Sequence, residues 1–104
     1  MVMNRPELVK AQVLSNGDIE VFGIFHGRAN HPVRIELYQN ESCVAGDSNL
    51  QTYVLAVNIV TDSKGNAKFI AQVPLAAGVT PLMSAVAVDE DTLDTSEAAE
   101  CVAL

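Results

Sequence analysis

The feature that most constrains the fold of this 104-residue chain is an alternation of apolar and polar side chains, which turn residues interrupt at short intervals. The clearest run covers residues 33–38, where Val33, Ile35 and Leu37 occupy every second position. A period of two is typical of a strand with one face buried. Many such short segments, separated by Gly, Pro, Asn and Asp, indicate a β-sandwich or barrel.

The alternation predicts seven strands. They cover residues 8–14, 19–25, 33–38, 53–60, 67–73, 82–88 and 97–104. Seven short strands in about 100 residues are typical of an immunoglobulin-like β-sandwich, in which antiparallel strands form two packed sheets. We therefore predict a single all-β domain of this type over residues 1–104, with residues 1–7 as a flexible N-terminal segment.

Turn residues predict how these strands connect. Asn16-Gly17 accepts the positive φ angles of a tight hairpin between the first two strands. Gly65 can adopt the left-handed conformation and form a bulge, which predicts a second hairpin between the fourth and fifth strands. Pro32 lacks an N–H group, so it should begin a strand. The sixth strand is apolar on both faces apart from Ser84, which predicts a central position in its sheet.

The charge of the chain excludes several classes of partner. Six Lys and Arg stand against thirteen Asp and Glu, a formal net charge of −7. Such a surface repels phosphate backbones and anionic lipids, so we expect neither nucleic-acid binding nor binding to membrane surfaces. No apolar stretch is long enough to span a bilayer, so we expect no membrane insertion. The chain has no Trp, which an antibody-type core requires.

Two cysteines leave two alternatives open. Cys43 follows the third predicted strand and Cys101 lies in the last one. An even count in a small β domain suggests a disulfide and an oxidising compartment. Two buried free thiols are the other interpretation, since Cys also serves as a small core residue. The spacing matches neither a metal site nor a redox motif.

Three stretches of the chain together resemble one known module. They are PVRIELYQNESC at residues 32–43, TDSKGNAKF at residues 61–69 and AVAVDEDTLDTSEAAECVAL at residues 85–104. They resemble an Ig-like repeat of long bacterial surface and secreted proteins, whose pattern is Tyr-x-Ile-Glu-Phe-Phe, a Cys, Thr-Asp-x-x-Gly-Asn-Ala-x-Phe, and Ala-Thr-Asp-x-x-Gly-Asn-Thr-Ser-Glu-Phe-Ser-x-Cys-Val. The matching positions are Ile35-Glu36-Leu37-Tyr38, Cys43, Gly65-Asn66-Ala67, Phe69, Ala87-Val88-Asp89, Thr95-Ser96-Glu97 and Cys101-Val102.

The resemblance covers roughly residues 10–104, and it implies an extracellular or cell-surface module without catalytic activity. It also implies that Cys43 and Cys101 form a disulfide. In the chain-entropy model, a bridge that closes a loop of about 60 residues stabilises the fold by about 4 kcal/mol.

The acidic loop after the sixth strand is a candidate calcium site. Asp89, Asp91 and Asp94 supply carboxylate oxygens, the ligands that calcium prefers, with Glu90 and Glu97 nearby. The spacing departs from that of an EF-hand loop, and a solvated acidic turn in which Asp89 bonds its own backbone is the simpler interpretation. No other cofactor is expected.

Catalytic and glycosylation signals are weak. His26 and His31 flank one loop without further metal ligands nearby, and solvent-exposed histidines are the expectation. No Ser or Cys lies in a recognised nucleophile motif, so we predict that the chain is not an enzyme. Asn40 begins an Asn-Glu-Ser triplet that satisfies the glycosylation pattern.

Two functions remain. The first is a non-catalytic extracellular spacer in a larger bacterial surface or secreted protein, whose partners are neighbouring domains of the same chain. The second is an adhesion module that binds a glycan or protein through the loops at one end, assisted by calcium in the loop from Asp89 to Glu97. Sugar-binding modules display exposed Trp or Tyr, and this chain offers only two Tyr within predicted strands. The sequence therefore favours the spacer.

Overall fold

The computed structural model describes residues 4–40, 52–74, 82–96 and 102–103, and these ranges contain strands and no helix. The strands are β1 (Glu7–Val13), β2 (Ile19–His26), β3 (Pro32–Asn40), β4 (Thr52–Val60), β5 (Asn66–Val73), β6 (Leu82–Asp89) and β7 (Val102–Ala103). The all-β prediction is confirmed, and six of the predicted strands are found within two residues of their expected ends. The seventh is represented by the two residues of β7.

The strands form two antiparallel sheets. One has the order β1-β2-β5, and the other has the order β4-β3-β6-β7. The inward side chains of both sheets meet in one core. Its completely buried apolar members are Ile19, Val21, Ile35, Leu37, Val73, Met83, Ala85 and Ala87. Each large aliphatic side chain buried in this way contributes about 1.5–3 kcal/mol.

The predicted hairpin between β4 and β5 is wrong. These strands lie in different sheets, since β4 pairs with β3 and β5 pairs with β2. The turn itself closes, because the N–H of Asp62 donates to the carbonyl of Asn66 at 2.9 Å. On one side of it, Thr61 donates its N–H to the carbonyl of His31, which precedes β3. On the other side, Asn66 pairs with His26 at the end of β2, so the two strands diverge into separate sheets.

The hairpin between β1 and β2 is confirmed, with a different turn from the expected one. Only Gly17 of the Asn16-Gly17 pair has a positive φ, 92°. Gly17 donates its N–H to the carbonyl of Leu14 at 3.0 Å, and Leu14 donates to Asp18 at 2.7 Å. This is the pattern of a type I turn followed by one left-handed residue, which connects hairpins slightly longer than the two-residue kind.

β6 has the predicted central position, between β3 and β7. Every residue of β6 after Leu82 is buried, including Ser84. The side chain of Asn40 donates to the Ser84 hydroxyl at 3.0 Å and is itself 1% exposed. Its amide nitrogen therefore lies in the interior, which is unfavourable for a glycosylation acceptor because such acceptors lie on the surface.

The two ends of the chain path lie at opposite ends of the sandwich. Glu7 pairs with Ile24, close to the end at which β2 leads into β3. Ala103 pairs with Leu82, which in turn pairs with Asn40 at the far end of β3. We call these two ends the His31 end and the Asn40 end. The molecule measures 40 Å along its longest axis.

Several predicted features fall outside the described residues. They are Cys43, Cys101, Glu97 and the last two residues of the glycosylation triplet. In the N-terminal segment, Pro6 is fully buried and Asn4 donates its side-chain amide to the carbonyl of His26 at 2.8 Å. Within the ranges given above, no helix has the length and apolar character needed to cross a bilayer.

Candidate functional site

Three connections meet at the His31 end: residues 27–31 between β2 and β3, residues 61–65 between β4 and β5, and residues 90–95 after β6. The first two are joined by the hydroxyl of Thr61, which is 2% exposed. This hydroxyl donates to the carbonyl of Arg28 and accepts the N–H of His31 at 2.9 Å. Because a buried hydroxyl needs both kinds of partner, Thr61 fixes the path of residues 28–31.

The turn that follows Thr61 makes further bonds to the same connection. The Asp62 carboxylate accepts the N–H groups of Asn66 and Lys64, and these bonds lower its pKa. Gly65 has a φ of 83° and accepts the N–H of Gly27 at 2.8 Å. The positive φ predicted for Gly65 is thus confirmed.

Asp89 and His31 join the third connection to the first. The Nε2 atom of His31 lies 2.9 Å and 3.0 Å from the two carboxylate oxygens of Asp89. The two side chains are 14% and 7% exposed, so the expectation of solvent-exposed histidines is wrong for His31. His26 matches that expectation, although its Nδ1 lies 2.7 Å from the Asn66 amide oxygen. The buried carboxylate of Asp89 requires a hydrogen-bond partner, and the His31 imidazole supplies it.

The Asp89 carboxylate also organises its own loop. It accepts the N–H groups of Asp91 at 2.9 Å and Thr92 at 3.1 Å, as the sequence predicted for an Asp at the start of a turn. The hydrogen bond from His31 is the largest cause of a lowered pKa, and the two backbone bonds add to it. Together they lower the Asp89 pKa from 3.8 to about 2, against the opposing effect of desolvation.

We expect Asp89→Asn to destabilise the domain near neutral pH and to have little effect in strong acid. A lowered folded-state pKa means that the carboxylate contributes stability above its unfolded pKa of 3.8, and that this contribution is lost as the pH falls towards about 2. Thermal melts of both proteins across this pH range should show a difference in Tm that closes as the pH approaches 2. Glu90→Gln is the control, because it removes one carboxylate charge at the neighbouring position, where the side chain is exposed.

The three aspartates of the predicted calcium site do not come together as a trio. Asp91 Oδ2 lies 3.5 Å from His31 Nε2, so Asp91 joins Asp89 beside the imidazole. The Asp94 carboxylate accepts the Thr92 hydroxyl at 2.9 Å on the exposed side of the loop. Calcium at Asp89, Asp91 and Asp94 stays a prediction, and the position of Asp94 lends it no support.

The structure instead brings His31, Asp89 and Asp91 together, with ligand atoms that all lie within 4.8 Å of one another. One imidazole nitrogen with carboxylates suits zinc or manganese better than calcium, which prefers an all-oxygen shell. The hydrogen bond between His31 and Asp89 already accounts for this geometry. A metal ion would have to displace it, so the group by itself is a hydrogen-bonded structural cluster.

A cavity of about 330 Å³ opens beside this pair. It is lined by Asn4, Phe25, His26, Gly27, Arg28, His31, Val33, Asp89, Thr92 and Asp94. Its wall combines two apolar side chains with groups of both charges, since the Arg28 guanidinium lies 3.9 Å from Asp89. Small-molecule sites have volumes of about 300–1,000 Å³, so this cavity lies at the small end of the range.

Sequence reasoning identified Asp89 but missed its partners. His31, Arg28 and Thr61 are far from it in the chain, and the pairing of β3 with β6 brings His31 and Asp89 together. The one signal in the sequence was that His31 directly precedes Pro32, which begins a strand. This signal does not indicate which carboxylate lies beside the His31 side chain. A scan against protein-family models and a search of curated proteins found no match to the chain.

Proposed function

We propose that this domain is a non-catalytic spacer module of a larger bacterial surface or secreted protein. The observation that carries the proposal is the position of β1 and β7: the chain enters β1 at the His31 end and leaves β7 at the Asn40 end. Modules whose first and last strands meet their neighbours at opposite ends form an extended row. A domain whose entry and exit lie side by side instead projects sideways from its parent chain. An end-to-end path is what a spacer needs.

We further propose that the sandwich is of the immunoglobulin-like type. Its first, second and fifth strands share one sheet, and its third, sixth and seventh share the other, as in immunoglobulin domains. The fourth strand departs from the constant-type arrangement, because β4 pairs with β3 rather than with β5. The resemblance of the sequence to bacterial Ig-like repeats supports the same interpretation, together with an extracellular location and a Cys43–Cys101 bridge.

The geometry of the polar cluster favours a structural role over catalysis. The His31 ring is held by the carboxylates of Asp89 and Asp91. Nucleophilic catalysis requires a hydroxyl or thiol within hydrogen-bond reach of such a base. The nearby Thr61 hydroxyl bonds instead to the backbone of Arg28 and His31. These groups hold connections together, which suits a module that must keep its shape under tension.

The proposal is tested by the shape of two copies fused head to tail through their own terminal residues. Small-angle X-ray scattering should give a maximum dimension close to twice the 40 Å of one copy. A fusion with a long Gly-Ser linker is the control, because a flexible linker samples folded-back arrangements and gives a broader distance distribution. Scattering that shows the two copies of the direct fusion folded back side by side would contradict the spacer function.

The second candidate is ligand binding at the His31 end, and the specific observation in its favour is the cavity. Charged groups of both signs, Arg28 and Asp89, converge on an opening with an apolar wall. A glycan array and a panel of small carboxylic acids would test it. Binding that is lost in Arg28→Ala, while the melting temperature is kept, would favour this function over the spacer.

A further inference from the structure

The strand β4 forms one edge of the larger sheet. β3 is its only strand partner within the part of the chain that the structure describes. An edge strand presents a row of backbone N–H and C=O groups to solvent, and proteins usually guard such an edge with charged side chains, Pro or bulges. What β4 carries along its length therefore decides what can pair with it.

β4 has neither charge nor proline. Its sequence is TYVLAVNIV, whereas each of the other five long strands that the structure describes contains at least one charged residue. Near its two ends, Tyr53 is 54% exposed and Val60 is 69% exposed. β4 does carry one bulge, because Leu55 and Tyr53 pair with the consecutive residues Leu37 and Tyr38 of β3. Between Leu55 and Val60 the register is regular, and this part of the edge has no charged residue, proline or bulge.

We propose that the edge of β4 is a docking surface for a second copy of this chain, which adds its own β4 in antiparallel orientation. In such a pair, the exposed Tyr53 of one copy lies near the exposed Val60 of the other, so both apolar ends are covered at once. The two larger sheets become one continuous sheet across the molecular two-fold axis. The contact is closed, because it uses the same edge of both copies, and it stops at a dimer.

The charges of the molecule favour this occupant over a basic protein partner. A basic partner is attracted to the acidic surface that gives the chain its net charge of −7, and β4 offers it no carboxylate. Two copies of an acidic chain repel each other, and this repulsion is weakest where the uncharged β4 strands of the two copies face each other. Because salt screens this repulsion, the dimer should become stronger as the ionic strength rises.

The contact is small, so the dimer should be weak. One pair of nine-residue strands falls below the roughly 1,200 Å² of a stable interface, which places the proposed dimer among transient contacts. Association should be visible only at high protein concentration. Sedimentation velocity of the full chain, over a concentration series in low and high salt, measures it directly.

Ala56→Lys is the variant that tests the proposal. Ala56 lies in the middle of β4 opposite Glu36 of β3, so a lysine there gains a carboxylate neighbour in the monomer. In the dimer, the two lysines lie diagonally beside each other on one face of the joined sheet, close to the two-fold axis, and repel each other. Val9→Lys is the matched control: it makes the same charge change at a site on β1 in the other sheet that is 58% exposed.

We expect the wild type and Val9→Lys to dimerise, more strongly in high salt, and Ala56→Lys to remain a monomer. Val60→Lys provides a second test at a site exposed enough to keep the fold, and it should weaken the dimer by removing the two symmetric contacts between Tyr53 and Val60. The proposal is overturned if the wild type stays monomeric in high salt, which would leave the edge to solvent or a different partner. Dimers of Ala56→Lys, or a ladder of larger species, would overturn it as well.

Discussion

Replacing Gly65 with Ala is expected to lower the melting temperature of the domain by at least about 8 °C. Two separate costs add at this position. Gly65 has a φ of 83°, where a side chain is strained by about 1–3 kcal/mol. The new methyl group would also overlap the carbonyl oxygen of Gly27, and such overpacking costs about 1–3 kcal/mol more. Neither backbone can yield without breaking the hydrogen bond between these two glycines.

Gly17→Ala is the matched control for this prediction. Gly17 has a comparable φ of 92°, and a methyl group there would meet nothing within 4 Å. It therefore carries the conformational strain without the collision. Thermal melts of the two variants should show a clearly larger loss for Gly65→Ala. Equal losses would mean that the contact between the 61–65 turn and Gly27 contributes nothing to stability.

The second large effect is expected for Gly23→Ala. Gly23 of β2 faces Phe69 of β5, and the aromatic ring lies over the glycine. A methyl group at position 23 would overlap three atoms of this ring, which is 4% exposed and surrounded by the core. Overpacking of this kind costs about 1–3 kcal/mol, which corresponds to a Tm loss of about 4–24 °C in a domain of this size.

A double-mutant cycle shows whether Gly23→Ala destabilises the domain through its collision with Phe69 or for another reason within β2. Phe69→Leu shortens the side chain that the new methyl group meets. The combination of Gly23→Ala with Phe69→Leu should therefore be less destabilised than the sum of the two single variants. Urea unfolding of the four proteins measures this coupling. Strict additivity would show that the ring of Phe69 is not what excludes a side chain at position 23.

The alternation of side chains predicted most of the fold because burial enforces it. In β2, Ile19, Val21 and Phe25 are buried while their neighbours are more exposed, as the sequence pattern required. The central position of β6 followed from its apolar residues on both faces. Both properties follow from the order of apolar and polar residues within one strand, which can be read from a single sequence.

Pairing between distant strands could not be predicted in the same way. A turn sequence such as that around Gly65 fits both a hairpin and a crossing between sheets, and the bonds of Thr61 to residues 28–31 decide between them. Likewise, nothing local pairs His31 with Asp89. Leu93 adopts a φ of 63° without being glycine, so its conformation also had no signal in the sequence.

The bonds of Thr61 to Arg28 and His31 have a consequence for protein engineering. Residues 27–31 owe their shape to groups from elsewhere in the chain, chiefly Thr61, Gly65 and Asp89. A synthetic peptide with this segment alone would not retain its conformation, and foreign sequence grafted here would lose these anchors. The β1–β2 turn is the better position for displaying an inserted epitope, because the backbone hydrogen bonds that close it join only Leu14, Gly17 and Asp18.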